Sequence, residues 1–354
     1  MTKRQMIAGL FILSAAALAQ GGGRFEQWDS NGDGVLRAEE MPERARLFQR
    51  LDSDGDGKVT RSEASRGVAE MRGGSRGRSE PAQQVEGMKI ERDVVYTTVP
   101  KGAAANLLSL DIYSPPAPGP WPLMVMVHGG GWGKGDKASK GVADAKSHFF
   151  VSQGFVFVSV NYRLVPEVTP TQQAADLASA LAFLKAQVGS YGGDPARIVL
   201  MGHSAGAHLA ALVATDPSYL RANGLSPTDL SGVVLLDGAA YNLPESMQDS
   251  AGRGTGIYRA AFGEDPDFWA GCSPTLHAGE GPLPPFLVFH AGRREASERY
   301  SRQLVEAIRR AGGRADLVAA PDKNHAGINR DIGTANDGIG ETILLFTRNL
   351  RNTG

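Results

Sequence analysis

Ile198-Val199-Leu200-Met201-Gly202-His203-Ser204-Ala205-Gly206-Ala207-His208-Leu209 is the stretch that decides the fold of this chain. Four apolar residues of strand length run into a Gly-x-Ser-x-Gly bend, and helix-prone residues follow as far as Val213. Small residues two before and two after the serine let the chain turn tightly and leave the hydroxyl exposed at the tip. The reading predicts strand, sharp turn and helix, with Ser204 as a nucleophile at the edge of a sheet.

Glycine is abundant here, 45 of 354 residues, so a five-residue pattern needs support from a second motif. Upstream, Leu123-Met124-Val125-Met126-Val127 reads as a buried strand ending in His128-Gly129-Gly130-Gly131-Trp132. Residues without side chains can there turn backbone N–H groups toward a negatively charged oxygen. Working outward, apolar runs predict strands at 107–113, 123–127, 155–160, 198–201, 233–236, 286–289 and 315–319. Helical patterns fall between them at 139–152, 170–188, 205–214, 297–311 and 337–350. That alternation predicts an α/β three-layer fold with a mostly parallel sheet.

From about Val85 to the C-terminus the chain resembles the α/β-hydrolase family, in particular bacterial carboxylesterases of the hormone-sensitive-lipase-like and feruloyl-esterase-like groups. The resemblance rests on His128-Gly129-Gly130-Gly131-Trp132, Val160-Asn161-Tyr162-Arg163-Leu164, Tyr191-Gly192-Gly193-Asp194-Pro195 and Gly202-His203-Ser204-Ala205-Gly206. It implies Ser204 as nucleophile, the amides of Gly130, Gly131 and Ala205 as oxyanion hole, and a late histidine as base. His325 fits best, because it follows the last predicted strand and the chain order in this fold is serine, acid, histidine. His203 is expected to be buried in the bend as its variable residue, His128 to support the glycine-rich turn, and His208 to pack one helical turn beyond the serine. The acid is open. The family usually has an aspartate after the seventh strand, where this chain has Gly292-Arg293-Arg294-Glu295, so Glu295 is the first choice by position. Asp237, at the end of Val233-Val234-Leu235-Leu236, is the rival, and Asp322 the weaker third. Tyr162 and Arg163 are expected as structural supports. The aromatic-rich segment 238–277 is either a cap over the site or a surface excursion packed on itself.

The first part of the chain has a different grammar. Lys3 and Arg4 precede the apolar run Met6 to Leu18, and small residues follow, so 1–19 reads as a cleaved signal peptide and the protein as secreted or periplasmic. The run is too short to span a bilayer, and no stable membrane insertion is expected after cleavage. Cys272 is the only cysteine, which excludes an intrachain disulfide. A net charge of −1 gives no general attraction for nucleic acid.

Asp29, Asn31, Asp33, Val35 and Glu40 stand at positions 1, 3, 5, 7 and 12 of a loop with Gly34 at position 6. Asp52, Asp54, Asp56, Lys58 and Glu63 repeat the design around Gly57. A hard cation takes six to eight oxygens, and this spacing supplies them from side chains and from the carbonyls of Val35 and Lys58. Residues 24–70 therefore read as a small all-α EF-hand pair with two structural Ca²⁺ sites. Arg37 at the ninth position offers no oxygen and weakens the first. Phe25, Trp28, Leu47 and Phe48 are expected to pack the helix shared by the two loops, and 72–86 is a flexible linker to the catalytic domain, 87–354.

The function expected from the residues and the resemblance together is hydrolysis of short-chain, aryl or plant-wall acyl esters, small-molecule or polysaccharide-linked, through an acyl-enzyme and with no catalytic cofactor. Two other readings stay open: an arylformamidase-type amidase, since the same triad attacks an activated amide, and a calcium-stabilised binding module whose hydrolase domain has lost turnover.

Overall fold

The computed structural model describes residues 25–31, 33–41, 48, 51–52, 56–60, 63–64, 84–102, 104–249, 255–292 and 294–350. The expected leader 1–19, Asp54, Leu47, most of the helix expected between Glu40 and Leu51, linker residues 72–83 and Arg293 lie outside them. The chain divides into two compact units, Met1–Arg78 and Ser79–Gly354.

In the first unit a short helix, Phe25–Trp28, precedes two three-residue strands, β1 (Val35–Arg37) and β2 (Lys58–Thr60). They pair antiparallel with Leu36 opposite Val59. Both of these side chains are buried with Met41, Phe48 and Leu51, and Phe25 and Trp28 pack against that cluster. Such a core is small.

The second unit is built on one eight-stranded sheet. Its strands in chain order are β3 (Lys89–Val95), β4 (Ser109–Ser114), β5 (Trp121–Val127), β6 (Val156–Val160), β7 (Gly193–His203), β8 (Leu230–Leu236), β9 (Phe286–Ala291) and β10 (Ala315–Ala320). Their spatial order is β10-β9-β8-β7-β5-β6-β4-β3, parallel except for β3 on β4 and β4 on β6. The inner strands are buried on both faces, which is why they read as unbroken apolar runs. Along β5 the side chains alternate between two cores. Leu123, Val125 and Val127 belong to one core with residues of helices Pro170–Gln187, Ala205–Thr215 and Glu295–Arg310, whereas Met124 and Met126 belong to another with residues of Asp144–Ser152 and Gly340–Leu350. Helices thus cover both faces, as expected from the alternation of patterns.

Strand β3 was not expected. It is an edge strand, mostly exposed, and its sequence Lys-Ile-Glu-Arg-Asp-Val-Val carries charges where a buried strand carries apolar residues. A register shift falls between Glu91 and Val94, and Asp93 within it has φ 55°. Among the described residues no helix is long and apolar enough to cross a membrane.

Candidate active site

The serine bend forms where β7 meets the helix Ala205–Thr215. Ser204 has φ 56° and ψ −119°, a conformation that side-chain-bearing residues rarely adopt and that surrounding structure must hold in place. The two glycines explain how. A Cβ on Gly202 would lie 2.2 Å from the carbonyl oxygen of Gly206, and one on Gly206 would lie 2.3 Å from that of Val127. Helix and strands therefore approach more closely than any larger residue permits, and the bend is pressed outward. The Ser204 N–H donates to Leu236 O at 3.0 Å, tying the tip to the next strand.

Around this tip three side chains line up. His325 Nε2 is 3.0 Å from Ser204 Oγ, and His325 Nδ1 is 2.6 Å from Asp237 Oδ2. Asp237 is fully buried, while His325 keeps partial exposure toward solvent. The arrangement sets the tautomer: Nδ1–H donates to the carboxylate, which leaves the Nε2 lone pair facing the serine hydroxyl.

The expectation for Glu295 is thereby corrected. Glu295 opens the helix Glu295–Arg310 and lines a different hollow with Ala296, Arg299 and Tyr300. Asp322 is exposed in the turn ahead of His325. Asp237 occupies the place because β8 and β9 run parallel in register, Leu236 beside Phe289, so the residue after β8 emerges next to the loop after β9. Its φ of 51° turns the carboxylate beneath the imidazole, and aspartate tolerates that backbone better than most residues.

Four donors converge on this carboxylate. Oδ1 accepts from Ala291 N–H at 2.9 Å and from Ser297 Oγ at 2.5 Å, and Oδ2 accepts from His325 and from Arg294 Nη1 at 2.5 Å. Burial pushes its pKa up, but the His325 hydrogen bond, the Arg294 charge and the Ala291 and Ser297 donors outweigh that and hold it well below the usual carboxylate range. Arg294 Nη1 also lies 2.7 Å from His325 Nδ1. Since Nδ1–H already points to Asp237, this is a contact between two donors that share one oxygen, not a third hydrogen bond. Arg294 thus stands where the acid was expected, and completes the charge balance of the acid that is there.

The glycine loop lies across from the histidine. Gly130, Gly131 and Ala205 line the same cleft as Ser204, and Ala205 begins a helix, where N–H groups lack intrahelical acceptors. Tyr162 and Arg163 support this loop as expected. Tyr162 OH donates to His128 O at 2.8 Å, and Arg163 clamps Asp176, leaving Gln173 Nε2 to donate to Trp132 O at 2.7 Å. Trp132 Nε1 donates to His208 Nδ1 at 3.2 Å, and His208 Nε2 to Cys272 O at 2.7 Å. Burial lowers the His208 pKa to about 4, so its ring is neutral and can accept from the indole.

His203, expected to be buried as the bend's variable residue, is buried and has a sharper position. Its Nε2–H donates to the carbonyl of His325 at 2.7 Å, and the two rings lie 4.7 Å apart. Burial, reinforced by the neighbouring His325, lowers its pKa to about 3, which keeps it neutral. The signal was present in the sequence, a histidine inside the bend, but not the reach to a residue 122 positions away.

The cleft has a volume of about 990 Å³ and mostly apolar walls, among them Val142, Val165, Ile257 and Tyr258. Ile257 and Tyr258 come from the helix Thr255–Phe262, so the segment 238–277 does wall the site. It is fixed there by Trp132, whose ring lies 5.6 Å from Tyr258 and 4.7 Å from Phe262.

Known proteins include relatives of this chain. Among curated relatives, the probable isoprenylcysteine alpha-carbonyl methylesterase ICMEL1 of Arabidopsis thaliana is 28% identical over 256 residues, covering 67% of this chain and 51% of that protein. Esterase LipQ of Mycobacterium tuberculosis is 30% identical over 241 residues, covering 64% and 56%. The chain therefore spans little more than half the length of these relatives. A solved structure, esterase B of Lactobacillus rhamnosis, superposes with a TM-score of 0.63 at 20% identity over 82% of this chain and 94% of that one, a likeness of fold. The BD-FAE family model matches residues 110–296, more than half of the chain and nearly the whole span from β4 to the loop after β9 that carries Ser204 and Asp237, and the chain belongs to that family.

Proposed function

We propose that this protein is a serine carboxylesterase whose second unit hydrolyses esters through an acyl-enzyme on Ser204, with His325 as base and Asp237 as the acid. The observation that carries the reading is the run of hydrogen bonds Ser204 to His325 to Asp237 at the floor of an open cleft. His325 Nε2 takes the Ser204 proton as Oγ attacks the ester carbonyl. The oxyanion accepts from the amides of Gly130, Gly131 and Ala205, and the protonated histidine passes its proton to the departing alcohol. Water then attacks the acyl-enzyme by the reverse proton path, giving the acid and restoring Ser204. Asp237 stays ionised throughout, since its surroundings favour the charged form.

The wide apolar cleft favours short acyl and aryl esters over large polar groups, and the esterase names of the curated relatives support the same class. The basic and apolar start of the chain supports export.

The N-terminal unit is proposed to hold two Ca²⁺ ions, and its local geometry fits. Asp29 accepts the N–H groups of Asp33 and Gly34, and Glu40 reaches back to Ser30 N and Arg37 N, so the first loop closes from position 12 onto position 2. Asp52, Asp56 and Glu63 accept from Gly57, Lys58 and Thr60 in the second loop. Arg37 holds Asp33 at 2.6 Å and competes with a cation for that carboxylate, which makes the first site the weaker. Asp29, Asn31, Asp33, Glu40 and the Val35 carbonyl would ligate one ion; Asp52, Asp54, Asp56, Glu63 and the Lys58 carbonyl the other.

The esterase reading is tested with p-nitrophenyl esters of increasing acyl length beside a parallel set of N-formyl arylamines. Turnover of the esters is expected with the native protein. Loss of about 10⁴-fold or more is expected in Ser204→Ala. Faster turnover of the formyl amides, or full activity without Ser204, overturns it.

A further inference from the structure

Away from the cleft, Asp216, His277 and Glu280 come together at the C-terminal end of the helix that starts at the nucleophile. Asp216 caps the helix Ala205–Thr215, and its Oδ1 accepts Ser218 N–H at 2.9 Å. His277 ends the short helix Pro274–His277, and Glu280 follows three residues later. One oxygen or nitrogen from each of the three lies within 4.8 Å of the others. Gly281 seats this loop, since a Cβ there would come within 3.1 Å of Pro217 Cγ.

The imidazole carries the argument. His277 Nε2 lies 3.0 Å from the carbonyl oxygen of Gly271, which only accepts, so Nε2 carries a proton and Nδ1 is the nitrogen left to face a ligand. That Nδ1 is buried and has no hydrogen-bond partner. Glu280 Oε2 stands 3.0 Å from it, at ion-pair distance but out of line for a hydrogen bond. Nδ1 and a carboxylate oxygen this close need positive charge between them, supplied by a proton or by a bound cation. Two ligands bound at roughly 2.0–2.2 Å to one tetrahedral ion stand roughly 3.4 Å apart, so this 3.0 Å pair need open by only a few tenths of an ångström to hold one. An outer ring N–H donated to a backbone carbonyl is also how metal-bound histidines are held in orientation.

We propose that Asp216, His277 and Glu280 form a binding site for a divalent transition-metal ion, with zinc the best match to one imidazole and two carboxylates. The ion joins the loop that closes the cleft-wall segment to the far end of the nucleophile helix. Calcium, which prefers six to eight oxygens, does not suit this donor set, so the site is chemically separate from the N-terminal loops. It shares no residue with the cleft, and its fate is independent of the esterase reading.

The test uses the full protein saturated with Ca²⁺, titrated with Zn²⁺ by calorimetry and melted with and without it, alongside Glu280→Gln and His277→Gln. The native protein is expected to bind zinc with a rise in Tm. Both variants are expected to bind at least tenfold more weakly and to lose most of that rise, with ester turnover unchanged. Glu280 is exposed, so its amide variant keeps the fold. No zinc-dependent shift in the native protein, as from an imidazolium paired with the two carboxylates, overturns the proposal. So does an equal shift in both variants, which would put the metal elsewhere.

Discussion

Replacing Asp237 with asparagine keeps the side chain's size but removes the charge that holds the proton on His325 Nδ1, so the imidazole is free to adopt the wrong tautomer. Asp237→Asn is expected to lower kcat by about 10³-fold to 10⁴-fold with little change in KM. Glu295→Gln, by contrast, is expected to stay within about threefold of native activity, as a side chain outside the cleft should. Steady-state kinetics on one ester compares the two, and the opposite ranking would return the role to Glu295. The acid was the residue the sequence made hardest to choose. Asp237 and Glu295 both precede His325 and both follow strands, and only the register of β8 on β9 brings one of them beneath the ring. Ser204 and His325 were easier because each is tied to a local pattern. His203 fell between these cases: it was visible within the bend, but its partner was not.

At the level of elements, legibility followed burial. Strands β5 to β9 are mostly apolar in their central stretches, where both faces are covered, and those runs could be read directly. The start of helix Pro170–Gln187 is also local, since Thr169 and Gln172 cap each other's backbone there. Strand β3 was missed because an exposed edge obeys no apolar rule, and the role of Thr255–Phe262 because a helix's neighbours are not written in its own period. The paired loops of the first unit were read from spacing alone, and their proposed ions can be checked at this same scale. Removing Ca²⁺ with a chelator is expected to lower the melting point of the N-terminal unit, followed through Trp28 fluorescence, while ester turnover stays within about twofold. No calcium binding by calorimetry would dismiss the ions, and complete loss of turnover would require that the metal act on catalysis.

For the molecule as a whole, the buried histidines set an acid limit on stability. His203 and His208 have pKa values lowered by burial to about 3 and about 4, below an unfolded value of 6.5. Between 6.5 and those values the unfolded chain takes up protons that the folded one refuses, so stability is full above 6.5 and declines as the pH falls. The expected loss between pH 6.5 and 5 is about 2 kcal/mol for each histidine. Asp237, held low, remains ionised across that window and adds nothing to the decline. Urea midpoints at pH 7 and pH 5 give the measurement, and His208→Gln should flatten the difference. Equal midpoints in the native protein would refute it.

The outermost strand has a consequence for how this molecule behaves in company. An open border of backbone donors and acceptors invites a neighbour to extend the sheet, yet here the border bears Lys89, Glu91 and Arg92 and is broken at Asp93, whose carboxylate is drawn to Lys137. A second copy approaching that rim meets charges of both signs to desolvate and a misaligned ladder. Such a border disfavours lengthening of the sheet by a neighbouring molecule in crowded solutions.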